Sequence, residues 1–225
     1  RLSPESYFES MRRLVAAIPE EKSLRLLDAG CGSGLLLRFL AGRIREGMIY
    51  TGVDLLKAGV EQTLLRAQEL GIASQVSCFK SNLTVSIQQD GEKFDVVVGH
   101  FSLYTLASDE MRQEALANLK TVMKPGGMLI LANPSIDYDA DSIIDESVRL
   151  VKGRHGFFAS LVKQVVIYPF TKAIGLRFIQ KQLRGGEWKA YTREEFSREI
   201  EKAGFGVQHI EEVYAGSAFL VVGKL

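Results

Sequence analysis

The sequence is poor in cysteine and histidine and carries almost no net charge, and each shortage excludes a class of protein. Its 225 residues contain two cysteines, Cys31 and Cys78, which do not suggest a disulfide framework, so we expect a reducing cytoplasm. His155 and His209 have no partners at metal-ligand spacing, and we predict no metal site. A net charge of +1 gives no general reason to expect a nucleic-acid partner.

The sequence also lacks any run of 18 apolar residues that could span a bilayer, and no signal peptide is recognisable, which agrees with a cytoplasmic location. Apolar residues make up 46% of the chain, enough for one substantial core, so we expect a single domain over residues 1–225. Because the chain begins at Arg1 and not at Met, we expect it to be a trimmed form of the protein.

Short apolar runs alternate with helical patterns, which predicts a mostly parallel sheet covered by helices on both faces. Thr192 and Glu195 form a capping box at the start of the last helix, and Gly204 ends it. The predicted strands are Leu24–Asp28, Met48–Asp54, Gln75–Lys80, Phe94–His100, Met128–Ala132, Gly206–Val213 and Ser217–Gly223. The predicted helices are Pro4–Ile18, Leu35–Gly42, Lys57–Leu70, Asp109–Val122 and Arg193–Ala203.

The most informative stretch is Leu24–Gly34, in which an apolar strand ends at Asp28 and a loop with Gly30, Gly32 and Gly34 follows. These glycines let the backbone turn sharply and approach a ligand to a distance at which a Cβ atom would collide. The helix predicted after the loop points its free N–H groups at the same place. A strand, a glycine loop and a helix in this order predict a nucleotide-cofactor site.

Two acids indicate which cofactor the loop favours. Asp54 ends the next strand about twenty residues beyond the loop, the spacing at which a carboxylate reaches ribose hydroxyls. Asp28 stands before the first glycine, in a D-x-G-x-G-x-G pattern that departs from the dinucleotide fingerprint. A carboxylate there would repel a pyrophosphate, but it would suit the cationic amino-acid end of S-adenosylmethionine.

The order of motifs resembles that of the class I S-adenosylmethionine-dependent methyltransferases over nearly the whole chain. Residues 28–34 resemble the family's first motif, and Val53-Asp54 resembles its ribose-binding acid. Residues 80–83 fall at the adenine contact, 94–100 resemble the fourth strand, and 119–134 resemble the helix, Pro-Gly-Gly turn and fifth strand. The resemblance implies an α/β, Rossmann-like, seven-stranded sheet with an antiparallel C-terminal hairpin and a helical insertion after the fifth strand.

The resemblance also implies a cofactor, S-adenosylmethionine, which would be released as S-adenosylhomocysteine. One departure from the family is Asn82, where Asp is common, although an amide can still accept from and donate to the adenine amino edge. The implied cofactor-binding residues are Tyr7, Asp28, Gly30, Cys31, Gly32, Gly34, Asp54, Leu55, Ser81, Asn82, Leu83 and His100.

Residues 136–190 form a longer connection than the family usually has between its fifth strand and the following helix. We expect them to form a helical insertion. Residues 136–148 contain five acids and no base, whereas 149–189 contain nine Lys or Arg against the lone acid Glu187. The basic part predicts an amphipathic helix that ends at Pro169 and a second helical piece after it. Their apolar positions are Phe157, Phe158, Leu161, Val162, Val165 and Val166, then Ile174, Phe178, Ile179 and Leu183.

Three roles remain open for this insertion. Its apolar stripe can pack on the core, it can form a lid over a hydrophobic or anionic substrate, or its basic helix can contact a membrane surface or a partner. Lids of this kind lie over the methyl end of the cofactor in the family. The basic residues show no interleaved aromatic pattern of an RNA-binding motif, so nucleic acid is not expected.

Two residues near the end of the fourth strand are candidates for the chemistry. Methyl transfer depends on alignment and a dry pocket, and an oxygen acceptor must also lose a proton. His100 is placed where the family's substrate-facing residues lie, and it acts either as a base or as a positioning group. Tyr104 either orients the nucleophile through its hydroxyl or is a core aromatic.

We therefore expect a methyltransferase that acts on a small, hydrophobic or anionic molecule, with a phenolic, quinone-like or carboxylate acceptor. Two alternatives stay open. In the first, the acceptor is a lipid or a membrane-held precursor. In the second, the chain binds S-adenosylmethionine without transferring the methyl group and serves as a regulatory subunit.

Overall fold

The computed structural model describes residues 3–85, 87, 93–162 and 167–225, with the backbone alone for residues 155–162. A 3-10 turn covers Ala73–Gln75, and a π-helical segment covers Thr171–Leu176. The strands are β1 Arg25–Ala29, β2 Ile49–Asp54, β3 Val76–Lys80, β4 Phe94–His100, β5 Met123–Pro134, β6 Gly206–Val213 and β7 Ala218–Lys224. The helices are α1 Glu5–Ala16, α2 Leu37–Arg45, α3 Lys57–Glu69, α4 Asp109–Thr121, α5 Ala140–Val162, α6 Tyr168–Phe170, α7 Arg177–Arg184 and α8 Arg193–Lys202.

The seven strands form one sheet in the order β3-β2-β1-β4-β5-β7-β6. Strands β1 to β5 pair in parallel, whereas β7 is antiparallel to both β5 and β6. The hairpin between β6 and β7 turns through Ala215 and Gly216, with φ of 58° and 76°, and the Ser217 N–H donates to the Tyr214 carbonyl. The predicted fold class is confirmed, including the antiparallel hairpin.

Element boundaries differ from the predictions where turns meet regular structure. Strand β5 begins at Met123, five residues before the predicted start, because Met123 pairs with Phe94 ahead of a register shift. Helix α2 begins at Leu37 and not at Leu35, since the glycine loop continues as a turn to that point. The capping box of Thr192 and Glu195 is confirmed by reciprocal hydrogen bonds of 3.0 and 3.1 Å.

The sheet has a hydrophobic cluster on each face. One cluster joins α1 and α2 to the insertion, for example through Leu14, Leu40 and Leu176. The other packs α4 and α8 on the opposite face, through residues such as Leu116 and Phe196. Both faces of the parallel strands are covered, which leaves the strand ends accessible. In sheets of this kind ligands bind at the carboxyl ends, here those of β1, β2 and β4.

The insertion differs from its prediction in two ways. Helix α5 begins at Ala140, within the acidic part, and Pro169 lies in the first turn of α6, where a missing N–H is tolerated. In the second piece, Ile179 and Leu183 pack on the core as predicted, but Ile174 and Phe178 are exposed. The predicted stripe at Phe157, Phe158, Leu161, Val162, Val165 and Val166, and the side chain of His155, lie outside what the structure describes.

None of the helices within the described ranges combines the length and apolar character that crossing a membrane requires.

Candidate active site

The glycine loop after β1 needs glycine for steric reasons. Gly30, Gly32 and Gly34 have φ of 86°, 53° and 66°, in the region that side chains rarely adopt. A Cβ atom on Gly30 would lie 2.5 Å from the Cβ atom of Ser102, whereas one on Gly32 would meet nothing within 4 Å. The loop therefore packs tightly against Ser102 at Gly30, whereas at Gly32 it has free space beside the backbone.

Asp54 lies at the end of β2 and holds the loop to the start of α3. Its Oδ2 accepts from the Gly32 N–H at 2.8 Å, and its Oδ1 accepts from the Leu56 N–H at 2.8 Å. Each carboxylate oxygen keeps a further lone pair for a ligand. Beside it, Leu55 and Leu56 are 57% and 66% exposed and offer an apolar surface to a base.

Asp28 is a buried carboxylate that pairs with no cation among the described residues. It is 3% exposed, and its Oδ2 accepts from the hydroxyl of Tyr50 at 2.6 Å. Desolvation, together with the charge of Asp54, raises the pKa of Asp28 to about 7 despite that hydrogen bond. A cationic ligand beside this carboxylate would relieve the cost of its charge, which fits the ammonium group of S-adenosylmethionine.

Cys31 follows Gly30 and turns its side chain into the interior. Its Sγ atom lies 3.4 Å from that of Cys78, and its pKa is raised by that contact and by burial. Thr63 donates to the same sulfur at 3.5 Å. What Cys31 presents to the loop surface is backbone, so its predicted contact with a cofactor would be a main-chain contact.

The segment after β3 places the predicted adenine contacts next to Asp54. The Ser81 N–H donates to the Asp54 carbonyl at 2.9 Å. Asn82 Oδ1 already accepts from the Thr84 N–H and hydroxyl, each at 3.0 Å, so its amide N–H groups are the freer part. The Leu83 carbonyl accepts from Asn118 at 3.0 Å and its side chain packs on the core. Asn82 is thus better placed to donate than to accept.

His100 is a neutral, buried imidazole at the end of β4. Desolvation lowers its pKa to about 3. Ser10 Oγ lies 2.9 Å from the Tyr7 carbonyl and 2.8 Å from His100 Nε2, and giving the single Ser10 proton to the carbonyl assigns an N–H to Nε2. Nδ1 then carries the lone pair, and it has no hydrogen-bonding partner within the described part of the chain.

Tyr7 packs an N-terminal aromatic ring against His100. The two ring centroids are 4.8 Å apart at 77°, and the Tyr7 ring stacks on Phe101 at 5.9 Å. Burial and the charge of Asp28 raise the pKa of the Tyr7 hydroxyl. Phe101 itself has a φ of 56°, a strained conformation for a bulky residue that often marks a functional site.

Tyr104 follows His100 by four residues and makes its own contacts with the end of the insertion. Its ring meets Trp188 edge-on at 5.4 Å, and its carbonyl accepts from the Lys189 N–H at 2.9 Å. Burial raises the pKa of its hydroxyl to about 12. Tyr104 therefore joins the exit of the insertion to the segment after β4.

An apolar cavity of about 350 Å³ lies between α1, the π-helical segment and the β6–β7 hairpin. Tyr7 and Tyr214 form its inner wall, so Tyr7 is shared between the cavity and His100. His100 and Tyr104 are not among the described lining residues. Those residues carry no formal charge: Ser3, Pro4, Tyr7, Phe170, Thr171, Ile174, Gly175, Leu176, Ile179 and Tyr214.

Sequence reasoning missed several residues that complete this region. Ser10 and Tyr214 come from elements far along the chain from His100, and no local pattern marks them. Asn133, at the end of β5, is 1% exposed, and neither its amide oxygen nor its nitrogen has a partner within the described residues. Because an unpaired buried amide is costly, this strand end has polar groups to offer a ligand or a water molecule.

Comparisons with known proteins agree with this geometry. Residues 27–129 match the model of a family described as "Methyltransferase domain". Ubiquinone biosynthesis O-methyltransferase of Chelativorans sp. (strain BNC1) is 32% identical over 117 residues, which are 52% of this chain and 42% of that enzyme. The match thus spans less than half the length of this curated relative.

Solved structures extend the likeness to the whole fold. A SAM-dependent methyltransferase from Aquifex aeolicus has a TM-score of 0.64 at 17% identity, covering 100% of this chain and 99% of that one. Magnesium protoporphyrin IX methyltransferase from Synechocystis PCC 6803, solved with bound SAH, has a TM-score of 0.60 at 17% identity, covering 98% and 82%. With motifs, sheet order and matched domain in agreement, residues 27–129 carry a methyltransferase domain, in a fold similar to that of solved S-adenosylmethionine-dependent methyltransferases.

Proposed function

We propose that this chain transfers a methyl group from S-adenosylmethionine to a small, apolar acceptor with a phenolic or quinone-like hydroxyl. The observation that carries the proposal is the uncharged cavity that shares Tyr7 with His100. Apolar walls with a few polar groups are typical of small-molecule sites. A carboxylate acceptor is less well supported, because the described walls of the cavity provide no cation to pair with it.

The cofactor half of the proposal assigns a role to each predicted contact. Asp28 would pair with the ammonium group, and Asp54 would accept from the ribose hydroxyls. The open backbone at Gly32 would lie along the cofactor, and Leu55 would cover the base. Gly34 would keep the loop close to α3, because a Cβ atom there would lie 2.8 Å from the Cα atom of Thr63. The adenine edge would meet Ser81, Asn82 and Leu83. When bound, the cofactor supplies an electrophilic methyl group on a sulfonium.

His100 is proposed as a positioning residue and not as a base. A pKa of about 3 lies far below that of a phenol, so full proton transfer to His100 would be strongly uphill. Its Nδ1 lone pair can still accept a hydrogen bond from the acceptor hydroxyl and direct the oxygen toward the methyl group. Tyr7 and Tyr214 would exclude water beside it, and Tyr104 would hold the insertion in place.

The printed name of the relative adds support for the acceptor class. The Chelativorans protein is named for ubiquinone biosynthesis and for O-methyl transfer. Both properties fit an apolar cavity next to a hydrogen-bond acceptor. A small-molecule partner is therefore proposed in place of a nucleic acid.

The proposal is tested in two stages, binding first and transfer second. Isothermal titration with S-adenosylmethionine and S-adenosylhomocysteine should give micromolar affinity for both, and Asp54→Ala should reduce it at least about a hundredfold. Glu61→Ala, which removes an exposed acid of α3 that pairs with Lys57, is the control and should change little. Transfer is then measured with methyl-labelled cofactor and a panel of phenols, hydroquinones and carboxylic acids.

The outcomes separate the alternatives. Labelled phenolic product, with no product from the acids, would support the proposed acceptor class. Tight binding without transfer to any acceptor would favour the regulatory, non-catalytic role. Absence of binding to either form of the cofactor would remove the proposal altogether.

A further inference from the structure

The outer face of the helical stretch 168–184 is apolar and basic. Its exposed residues recur with a spacing of three to four, as expected for one side of a helix. Phe170, Ile174 and Phe178 are 64%, 73% and 52% exposed. The outer face consists of Pro169, Phe170, Ala173, Ile174, Arg177, Phe178, Lys181 and Arg184.

Core packing does not account for these apolar side chains. The opposite side of the same stretch already fills the core through Tyr168, Leu176 and Leu183, which are 2%, 4% and 8% exposed. The stretch is therefore apolar on the side that packs and apolar again on the side that faces outward. Contiguous exposed apolar residues of this kind mark interaction surfaces more often than scattered ones do.

The charge on the outer face has one sign. Arg177, Lys181 and Arg184 lie on it, and no acid does. Two acids beside the three bases have partners of their own, because Asp141 pairs with Lys172 and Asp139 accepts from the Ser142 N–H at the start of α5, and the exposed Glu187 follows the stretch. Asp139 and Asp141 line a cavity with the three bases, but they stand on α5 and the turn before it. An apolar face flanked by bases complements an anionic lipid surface.

The outer face is continuous with the apolar cavity. Phe170 and Ile174 belong to both, so the mouth of the cavity opens on this face. A ligand that leaves a bilayer at this point would reach Tyr7 along apolar walls. A cavity for a water-soluble acceptor would not need an apolar surround at its mouth.

We propose that the outer face docks on a membrane surface that contains anionic lipids, with the stretch 168–184 lying in the plane of the interface. The docking proposal is supported by the outer face alone. Its consequence, that the acceptor is lipid-soluble and enters from the membrane, rests on the proposed function.

Vesicle sedimentation tests the docking without any acceptor. The full chain is mixed with vesicles of phosphatidylcholine alone and with vesicles that include phosphatidylglycerol. We expect binding to the anionic vesicles, weakened by salt, and little binding to the neutral ones. Phe178→Ser and the double variant Arg177→Glu/Lys181→Glu should each weaken binding at least about tenfold, because they remove the apolar and the electrostatic contribution separately.

Matched variants on other helices provide the controls. Leu65→Ser removes an equally exposed leucine, 57% exposed, from α3, and Lys202→Glu reverses an exposed charge on α8. Both should bind the anionic vesicles like the unaltered chain. None of the altered residues lines the apolar cavity or the cofactor site, so the affinity for S-adenosylhomocysteine should stay the same in every variant. Phe178 also touches Trp188, and the charge variant keeps that contact intact.

Three results would overturn the proposal. The first is absence of binding to anionic vesicles by a chain that still binds S-adenosylhomocysteine. The second is binding that the Leu65 and Lys202 controls reduce as much as the outer-face variants do. The third is a dimer, measured by light scattering, that Phe178→Ser dissociates, which would make the face a contact between two copies. Because cofactor binding is measured without vesicles, failure of the docking and failure of the proposed function are separate results.

Discussion

The cofactor end and the acceptor end of the site are built in different ways. The cofactor end uses a short loop, residues 28–34, together with one acid from the next strand. The hydrogen bond from Gly32 to Asp54 spans only 22 positions of the sequence. The acceptor end joins residues far apart in sequence, such as Ser10 to His100 over 90 positions and the rings of Tyr7 and Tyr214, which both line the cavity. A local loop leaves a motif in the sequence, whereas a wall assembled from α1, the π-helical segment and the hairpin leaves none. The two ends should therefore respond differently to single substitutions.

The largest effect is expected at Gly30. Gly30→Ala places a Cβ atom 2.5 Å from Ser102 at a φ of 86°, and we expect a loss of about 3–4 kcal/mol of unfolding free energy together with cofactor binding. Gly32→Ala has open space around it and should cost about 1 kcal/mol. Urea unfolding measures both. Equal costs at the two glycines would contradict the tight closure at Gly30.

The second effect concerns pH and Asp28. Since folding raises its pKa from 3.8 to about 7, its contribution to stability is complete below pH 4 and is lost as the pH rises toward 7. Asp28→Asn should therefore gain about 2–3 kcal/mol relative to the unaltered chain between pH 5 and 8. Urea unfolding of both proteins at the two pH values measures this difference.

The same substitution should weaken cofactor binding. The unaltered chain should bind S-adenosylhomocysteine more tightly as the pH rises from 6 to 8, because Asp28 becomes charged and attracts the ammonium group. Asp28→Asn should bind weakly at both pH values. A parallel pH dependence in the two proteins would show that another group is responsible.

The third prediction separates a base from a positioning group at His100. With a pKa of about 3, the imidazole should remain neutral from pH 8 to pH 5, with its proton on Nε2. Nitrogen chemical shifts of ¹⁵N-labelled histidine report both the charge and the tautomer. Ser10→Ala should disturb the Nε2 signal, because Ser10 is its partner. A midpoint of protonation above pH 5 would restore the general-base interpretation.

The smallest effect is expected where the insertion meets α1. Arg154 pairs with Glu5 at 3.0 Å and with Glu9 at 2.5 Å, but Arg12 pairs with the same two acids. Arg154→Ala should therefore cost about 1 kcal/mol or less, measured by thermal unfolding against Lys152→Ala, an exposed control on the same helix. A loss several times larger would mean that the insertion depends on this one ion pair.

Much of the fold was predictable from the sequence because its causes are local. Phe94–His100 and Gly206–Val213 occur as predicted. A short apolar run defines the first, and the turn residues on either side, Gly204 and Ala215-Gly216, define the second. The same holds for the capping box at Thr192 and for the three glycines with positive φ. The errors lie in the insertion, where the exposed Ile174 and Phe178 have the same hydrophobicity as buried residues.

The candidate site shows the same difference between features with local causes and features that depend on distant contacts. The sequence by itself determined the methyltransferase domain, the cofactor class and the acids and glycines of the loop, because close backbone approach and charge pairing require particular residue types at fixed spacing. Only the tertiary structure decided that Asp28 is buried with a raised pKa, that His100 is neutral and that Ser10 and Tyr7 hold it. Those properties depend on desolvation and on contacts between distant elements, which no local pattern of residues contains.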